Sequence, residues 1–387
     1  MSTTAVLAAT LVEPGRYELR EYPLPEPEPG CLLVRMQVSG ICGTDKHTYQ
    51  GYTTQYAGSG QPRQIQFPII QGHENVGTVA AIGGGGRYTD FEGVPLRIGD
   101  RVVVGPNVSC GTCYYCRHDF PHYMCENTTD YGNNLSAKNP PYLFGGWSQY
   151  LYVLPGSFVV RVPEDLPSEI AVLTEIMAVT AGLDRAKQIS AFPNESFRFD
   201  DTVVVLGAGP LGICFVMKAR MLGAGIVIAV DLSDYRLDFA KRLGADHALN
   251  AARASRADRL ETIQGLTHRR GADLVIECAG VPEAVAEALD LLRPGGLLVE
   301  AGNFSDLGDV AINPHRQLCS KNVRILGVGG EEAAAYAPSM RQMVRYMRHY
   351  PLAEFVTHRF ALREVEAAMK QSIAKDSMKV VIDPWRN

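Results

Sequence analysis

Long hydrophobic runs are missing from this chain of 387 residues. No stretch approaches the roughly 20 consecutive apolar residues that a membrane-spanning helix requires. The opening residues, Met1-Ser2-Thr3-Thr4-Ala5-Val6-Leu7, lack both the basic start and the apolar core of a secretory signal. A soluble, cytoplasmic protein is therefore expected. Charge of one sign is also lacking, because 37 Lys and Arg against 42 Asp and Glu leave a formal charge of -5. That balance gives no electrostatic footprint for nucleic acid or for an acidic membrane surface. Internal repeats, low-complexity tracts and long linkers are absent as well. The expected partner is a small, polar, diffusible molecule.

The chain is too long for one ordinary core and implies two domains. From Ala5 to about Val160, short apolar runs such as Leu32–Val38 and Arg101–Val104 are punctuated by glycine and proline and read as strands. A helical stretch follows over Ser168–Lys187. Strands then alternate with helices, at Val203–Leu206, Ile226–Val230, His247–Leu249, Asp273–Glu277, Gly296–Ala301 and Val323–Gly327. Six strands with crossovers suit a doubly wound parallel sheet, an α/β fold. The tail from Glu331 holds a helix and ends in the apolar run Met378–Ile382, which would return a strand to the first domain. The domain bounds expected are 1–178 with 331–387, and 179–330.

The strand ending at Leu206 runs into Gly207-Ala208-Gly209-Pro210-Leu211-Gly212, with an apolar helix pattern over Ile213–Leu222. In that context the first glycine allows a tight turn, the second a close approach of backbone to pyrophosphate, and the third close packing of helix on strand. Pro210 and Leu211 fill the variable positions. Asp231, 19 residues after Gly212, is placed to accept hydrogen bonds from an adenosine ribose and to repel a 2′-phosphate. This favours NAD over NADP. Arg236, one helical turn further, either lies over the adenine or ribose or is a solvated surface arginine.

Four of the nine cysteines, Cys110, Cys113, Cys116 and Cys125, are clustered. In a chain of this size the cluster points to metal ligation, and four thiolates close a structural zinc site. The lobe would span 106–127. Cys31, Cys42, Cys214, Cys278 and Cys319 are scattered. Of these, Cys42 lies in Gly40-Ile41-Cys42-Gly43-Thr44-Asp45-Lys46-His47, upstream of Gly72-His73-Glu74. A thiolate from Cys42, an imidazole from His73 and an oxygen from Glu74 or Glu175 make an incomplete zinc shell with a position for substrate. Asp45 could orient the imidazole from behind, or serve as a turn residue.

Taken with Gly99-Asp100-Arg101-Val102 and Leu292-Arg293-Pro294-Gly295-Gly296, these motifs resemble the zinc-dependent medium-chain alcohol dehydrogenases, in particular the sorbitol and threonine dehydrogenase branch. The resemblance covers nearly the whole chain. It implies a GroES-like catalytic domain made from both ends of the chain, an inserted Rossmann domain, and an active site in the cleft between them. It implies catalytic roles for Cys42, His73 and Glu74, with Glu175 matching the acid that replaces a second cysteine. Thr44 and His47 match the proton relay of the family. Ala301, Gly302, Asn303, Val328 and Gly329 match backbone contacts to the nicotinamide half of the cofactor, with Cys278, Ala279 and Gly280 nearby.

Two departures stand out. Eight residues rather than seven precede Cys125, which requires a one-residue bulge in the lobe. The segments Tyr49–Phe67 and Thr128–Trp147 are long and carry Tyr49, Tyr52, Tyr56, Tyr131, Tyr142, Phe144 and Trp147. These either build an aromatic substrate pocket or pack the lobe or a subunit interface.

The function implied is reversible, zinc-dependent oxidation of an alcohol by NAD to the ketone or aldehyde, with two zinc ions per chain. A secondary alcohol is favoured, from the polyols, hydroxy amino acids or cyclic alcohols. The rivals are a zinc-free enoyl or quinone reductase on the same fold and a non-catalytic nucleotide-binding protein. The resemblance further implies a homodimer or homotetramer, joined edge to edge near Val323–Gly327.

Overall fold

The fold is described from a computed structural model over residues 5–56, 62–188 and 197–387, with the side chains of residues 55, 56, 62 and 63 outside the described set. The chain forms two compact units, Met1–Ala178 with Glu332–Asn387, and Val179–Glu331.

In the first unit a sheet runs in the order Val159–Arg161, Arg101–Val104, Glu74–Ile82, Leu32–Gly40, Lys379–Asp383, Val356–Ala361. Tyr150–Val153 also pairs with Leu32–Gly40. Val34 and Met36 are fully buried, while Arg35 between them points out and lays its guanidinium over the Trp385 ring at 3.8 Å. This is the alternation expected of a strand with one face in a core. The register places Gly40 opposite Glu74 on one side and opposite Val381 on the other. Cys42, Glu74 and Lys379 thereby come from three parts of the chain to one corner of the sheet.

The second unit is an all-parallel sheet of six strands, ordered His247–Asn250, Ile226–Asp231, Thr202–Leu206, Ala272–Glu277, Leu292–Glu300, Arg324–Gly327. Its central strands are covered on both faces, which their unbroken apolar runs require: Val203, Val204, Val205, Val227, Ile228 and Ala229 are all fully buried. The strand order reverses between Thr202–Leu206 and Ala272–Glu277, the topological switch at which ligands of such sheets sit beyond the carboxyl ends. The fifth strand starts earlier than its apolar pattern predicts, at Leu292, with a register shift where Ala272 pairs Leu292 but Leu274 pairs Leu297.

Three expectations are corrected. The helical stretch of 168–187 is broken into Ser168–Ala171, Thr174–Val179 and Gly182–Gln188. The tail holds two α-helices, Tyr336–Tyr346 and Val365–Ile373, rather than one. It also contributes the strand Val356–Ala361, parallel to Lys379–Asp383. Among the described residues no helix is long and apolar enough to cross a membrane.

Candidate functional site

Cys42 stands at the N-terminus of the short helix Gly43–Tyr49, and its N–H donates to Asp45 Oδ2 at 2.8 Å. The other Asp45 oxygen faces His73 Nδ1 at 3.7 Å, with both side chains almost wholly buried. Burial opposes charge on all three groups, and their mutual attraction answers it. The Cys42 thiol lies below its ordinary value because His73, by charge and by a side-chain hydrogen bond, and then Lys379 outweigh desolvation. His73 is held well above the usual imidazole range, since Asp45 and then Cys42 overcome its burial. Asp45 is raised by its burial, only partly relieved by His73.

Glu74 and Lys379 form a buried ion pair at 2.5 Å, with side chains 0% and 1% exposed. The ammonium also donates to the Ile41 carbonyl at 3.4 Å. The second Glu74 oxygen is buried without a hydrogen-bond partner among the described residues. Glu175, on Thr174–Val179, is buried and acts electrostatically on both His73 and Lys379. The structure thus gathers Cys42, His73, Asp45, Glu74 and Glu175 in one neighbourhood. Sequence reasoning missed Lys379. The signal was a lysine inside the apolar run Met378–Ile382, where a charge has no place without a buried partner.

Thr44 and His47 lie three residues apart on the helix Gly43–Tyr49 and so share a face, both partly exposed. Burial and then Lys46 lower the His47 imidazole below its ordinary value, so it is neutral at pH 7. Tyr52, half exposed, meets the His47 ring edge-on at 6.0 Å. The other aromatic residues mostly pack. Tyr131 and Trp147 are fully buried and Phe144 nearly so. Tyr49 stacks on Tyr17, and Tyr142 tilts against Tyr22. The Tyr56 side chain lies outside the described residues.

In the cysteine lobe the ligand atoms of Cys110, Cys113, Cys116 and Cys125 all lie within 4.8 Å of one another, the one such group of three or more among the described residues. Sulfur separations are 3.5 Å for Cys113 to Cys116, 3.9 Å for Cys110 to Cys116 and 4.0 Å for Cys113 to Cys125. Zinc–sulfur bonds of about 2.3 Å give a tetrahedron with edges of about 3.8 Å, so the donor set fits zinc. The Cys110 thiol is pulled down to about 5, first by a hydrogen bond from the Thr112 backbone. Cys125 is pushed up to about 12 by burial. A left-handed Asp119, φ 55°, and the 3₁₀ turn His122–Met124 precede Cys125.

In the second unit Gly207 turns with φ 92°, and a Cβ there would meet the Ala279 amide nitrogen at 2.6 Å. A Cβ on Gly212 would collide with the Gly207 carbonyl. Both glycines are needed to lay the helix Pro210–Met221, which starts after Gly209 with Pro210 in its first turn, against the strand. Asp231 Oδ2 accepts from the Ala208 N–H and Oδ1 from the Ser233 N–H, each at 2.8 Å. A Cβ on Gly209 would lie 3.8 Å from an Arg236 guanidinium nitrogen, so Arg236 borders the turn. Ala279, Gly302 and Asn303, with buried Ala301, follow the strands ending at Glu277 and Glu300. Val328 and Gly329 follow the strand ending at Gly327, with the Val328 N–H bonded to the Glu300 carbonyl at 2.8 Å. Backbone and carboxylate groups thus cluster along the carboxyl edge of the sheet, the arrangement that cradles a dinucleotide.

Residues 28–164 match the family model of the alcohol dehydrogenase GroES-like domain, and residues 210–346 that of the zinc-binding dehydrogenases. The chain is 34% identical to the 5-exo-hydroxycamphor dehydrogenase of Pseudomonas putida over 97% of its length and 98% of that protein. It is 30% identical to the L-threonine 3-dehydrogenase of Deinococcus deserti, over 93% of each chain. Among solved structures, an alcohol dehydrogenase of Thermotoga maritima is similar at TM-score 0.87 and 29% identity, covering 98% of this chain and 99% of that one.

Proposed function

The chain belongs to the zinc-dependent medium-chain alcohol dehydrogenases, and from that premise we propose which of its residues carry the oxidation of an alcohol to the carbonyl. When bound, zinc would supply Lewis-acid polarisation of the alcohol oxygen and the nicotinamide a hydride acceptor. Cys42, His73 and Glu175 hold that ion, and Glu74, restrained by Lys379, stands as the alternative oxygen donor. Asp45 positions the His73 ring. Thr44 takes the alcohol proton on its hydroxyl and His47, neutral at working pH, delivers it to solvent. The observation that carries this reading is the buried meeting of Cys42, His73 and Asp45 beside two further acids. Cys110, Cys113, Cys116 and Cys125 hold a second, structural zinc.

The cofactor is NAD, bound by Gly207, Gly209, Pro210, Leu211, Gly212, Asp231 and Arg236 at its adenosine and pyrophosphate end. Ala279, Ala301, Gly302, Asn303, Val328 and Gly329 contact its nicotinamide end. Asp231 would place a carboxylate against a 2′-phosphate, and this carries the preference. Substrates are secondary alcohols, whether polyol, hydroxy amino acid or cyclic. The cytoplasm, which keeps clustered thiols reduced, is the compartment. The enzyme works as a homodimer or homotetramer.

The test is NADH formation by the purified protein with a panel of these alcohols, with NADP as the competing cofactor. Turnover is expected to be lost on prolonged chelation and in Cys42→Ser. Asp231→Ser should narrow the preference for NAD about tenfold or more. Turnover untouched by Cys42→Ser would reject the metal assignment.

A further inference from the structure

Glu277 and Glu300 close two neighbouring parallel strands and face each other in register. Such acids would ordinarily repel, yet Glu277 is fully buried. Each carboxyl holds the loop that follows its own strand. Glu277 Oε1 accepts from the N–H groups of Ala279 at 2.6 Å and Gly280 at 3.0 Å. Glu300 Oε1 accepts from the N–H groups of Gly302 at 3.2 Å and Asn303 at 2.9 Å. The Asn303 side-chain amide ties the two together, donating to Glu277 Oε2 and Glu300 Oε1, each at 3.1 Å. Gly302 has no side chain for a steric reason, since a Cβ would run into the Glu277 carboxyl.

One oxygen is left over. Glu300 Oε2 is buried without a hydrogen-bond partner among the described residues. No cation appears among the principal influences on Glu277: desolvation and then the charge of Glu300 raise it, and the Ala279 and Gly280 amides draw it back only in part. Two facing carboxyls in register, bridged by one amide, are held together at least cost with one proton between them. We propose that Glu277 and Glu300 share a single proton, and that the protonated pair is a positioning device holding 278–280 and 301–303 in the form that binds the nicotinamide half of the cofactor. The role in binding rests on the assignment of those loops to the cofactor made above. The shared proton does not.

Loss of the proton to solvent leaves two anions side by side, Glu277 buried and Glu300 partly so, and the loops they hold are driven apart. Desolvation, reinforced by Glu300, raises Glu277 to about 8, which sets where this happens. The folded form therefore holds a proton that the unfolded chain has already lost. Stability from this source is complete below the ordinary glutamate value and is lost as pH rises through about 8. Beside the pair lies the Cys278 thiol, on which Cys214 of the helix Pro210–Met221 acts in turn. The helix Pro282–Leu291, packed on both strands, carries Glu283, with Glu287 paired to Arg259 and Asp290 to Arg256 and Arg316, while Lys321 and Arg324 come from the segments packed on the fifth strand. The helix Gly182–Gln188, packed against the fifth strand, carries Asp184, which is paired with Lys218, together with Arg185 and Lys187.

The test uses the zinc-loaded full chain, as wild type, Glu300→Gln and Glu277→Gln. Glutamine at 300 keeps the acceptor for the loop amides and supplies a fixed N–H in place of the shared proton. Thermal unfolding without cofactor, followed from about pH 6 to about pH 9.5, should show wild-type Tm falling up to about pH 8 and levelling above it, a fall that Glu300→Gln reduces. Parallel profiles would overturn the shared proton. NADH fluorescence titrations should show wild-type Kd rising up to about tenfold per pH unit above this point, and Glu300→Gln close to flat. A Glu300→Gln profile that tracks wild type would overturn the positioning role. If Glu277→Gln fails to fold, Glu300→Gln against wild type decides both. Absence of NADH binding by wild type at about pH 6.5 would refute the cofactor assignment and the positioning role with it, while the unfolding profiles would still decide the proton.

Discussion

Lys379 shows how one residue can set the character of the corner proposed to hold the catalytic zinc. Its ammonium and the Glu74 carboxylate are sealed from water together, so each is tolerable only because of the other. Removing one partner of a buried pair leaves an uncompensated charge and typically costs about 3–5 kcal/mol, whereas replacing both is often nearly neutral. Lys379→Met is accordingly expected to lower stability by about that amount, and Lys379→Met with Glu74→Gln to recover most of it. Denaturant unfolding of the two variants checks this. Equal loss in both would mean that Glu74 matters to the fold for another reason. Lys379 also explains what was and was not legible at this scale. Cys42, His73 and Glu74 stand out by their combination with the dinucleotide motif, and Glu175 by its match to the acid of the family it resembles. Lys379 is silent, since a lysine in Met378–Ile382 acquires meaning only when the register brings Val381 opposite Gly40 and Gly40 opposite Glu74. Tyr131 and Trp147 mislead in the opposite direction. An aromatic residue near a motif looks the same in sequence whether it lines a pocket or is fully buried, as both are here.

At the scale of elements, the six parallel strands were readable because strands covered on both faces need unbroken apolar runs, and Val203–Val205 and Val227–Ala229 supply them. Val356–Ala361 was not, since only Ala361 in it is fully buried and its polar residues carry no alternation to detect. The breaks in 168–187 were equally invisible. Val172 and Leu173, between the first two helices, are as apolar and buried as a helix core, so their composition does not mark the break. The cysteine lobe contrasts with all of these, because four clustered thiols rather than an apolar face mark it. Its one-turn helix Tyr114–Arg117 buries no residue. The lobe therefore has little of its own to hold it without a metal. If the lobe holds the structural zinc proposed above, Cys125→Ser is expected to lower the bound zinc by one ion per chain and to lower Tm, leaving any zinc at Cys42 in place. Elemental analysis beside thermal unfolding distinguishes this from general misfolding, which would empty both sites.

For the whole molecule the question is what meets the outer side of Arg324–Gly327. The strand closes the six-stranded sheet at one end, so its outward N–H and C=O groups lack a ladder partner within that sheet. Ile325 in it is 51% exposed. Natural edge strands are usually protected by charge, proline, a bulge or a covering element, and an apolar edge without these invites another chain. Arg324 is the one charge in the strand, and Ile325-Leu326-Gly327 follow it without proline. The same edge on a second copy satisfies both through a two-fold axis, since an isologous contact pairs a surface with itself. The homodimer proposed above is therefore expected to form here. Ile325→Arg would set two like charges close together across the axis and shift the protein toward the monomer in light scattering at micromolar concentration, with the secondary structure seen by circular dichroism unchanged. Unaltered mass in that variant would direct the search away from this edge.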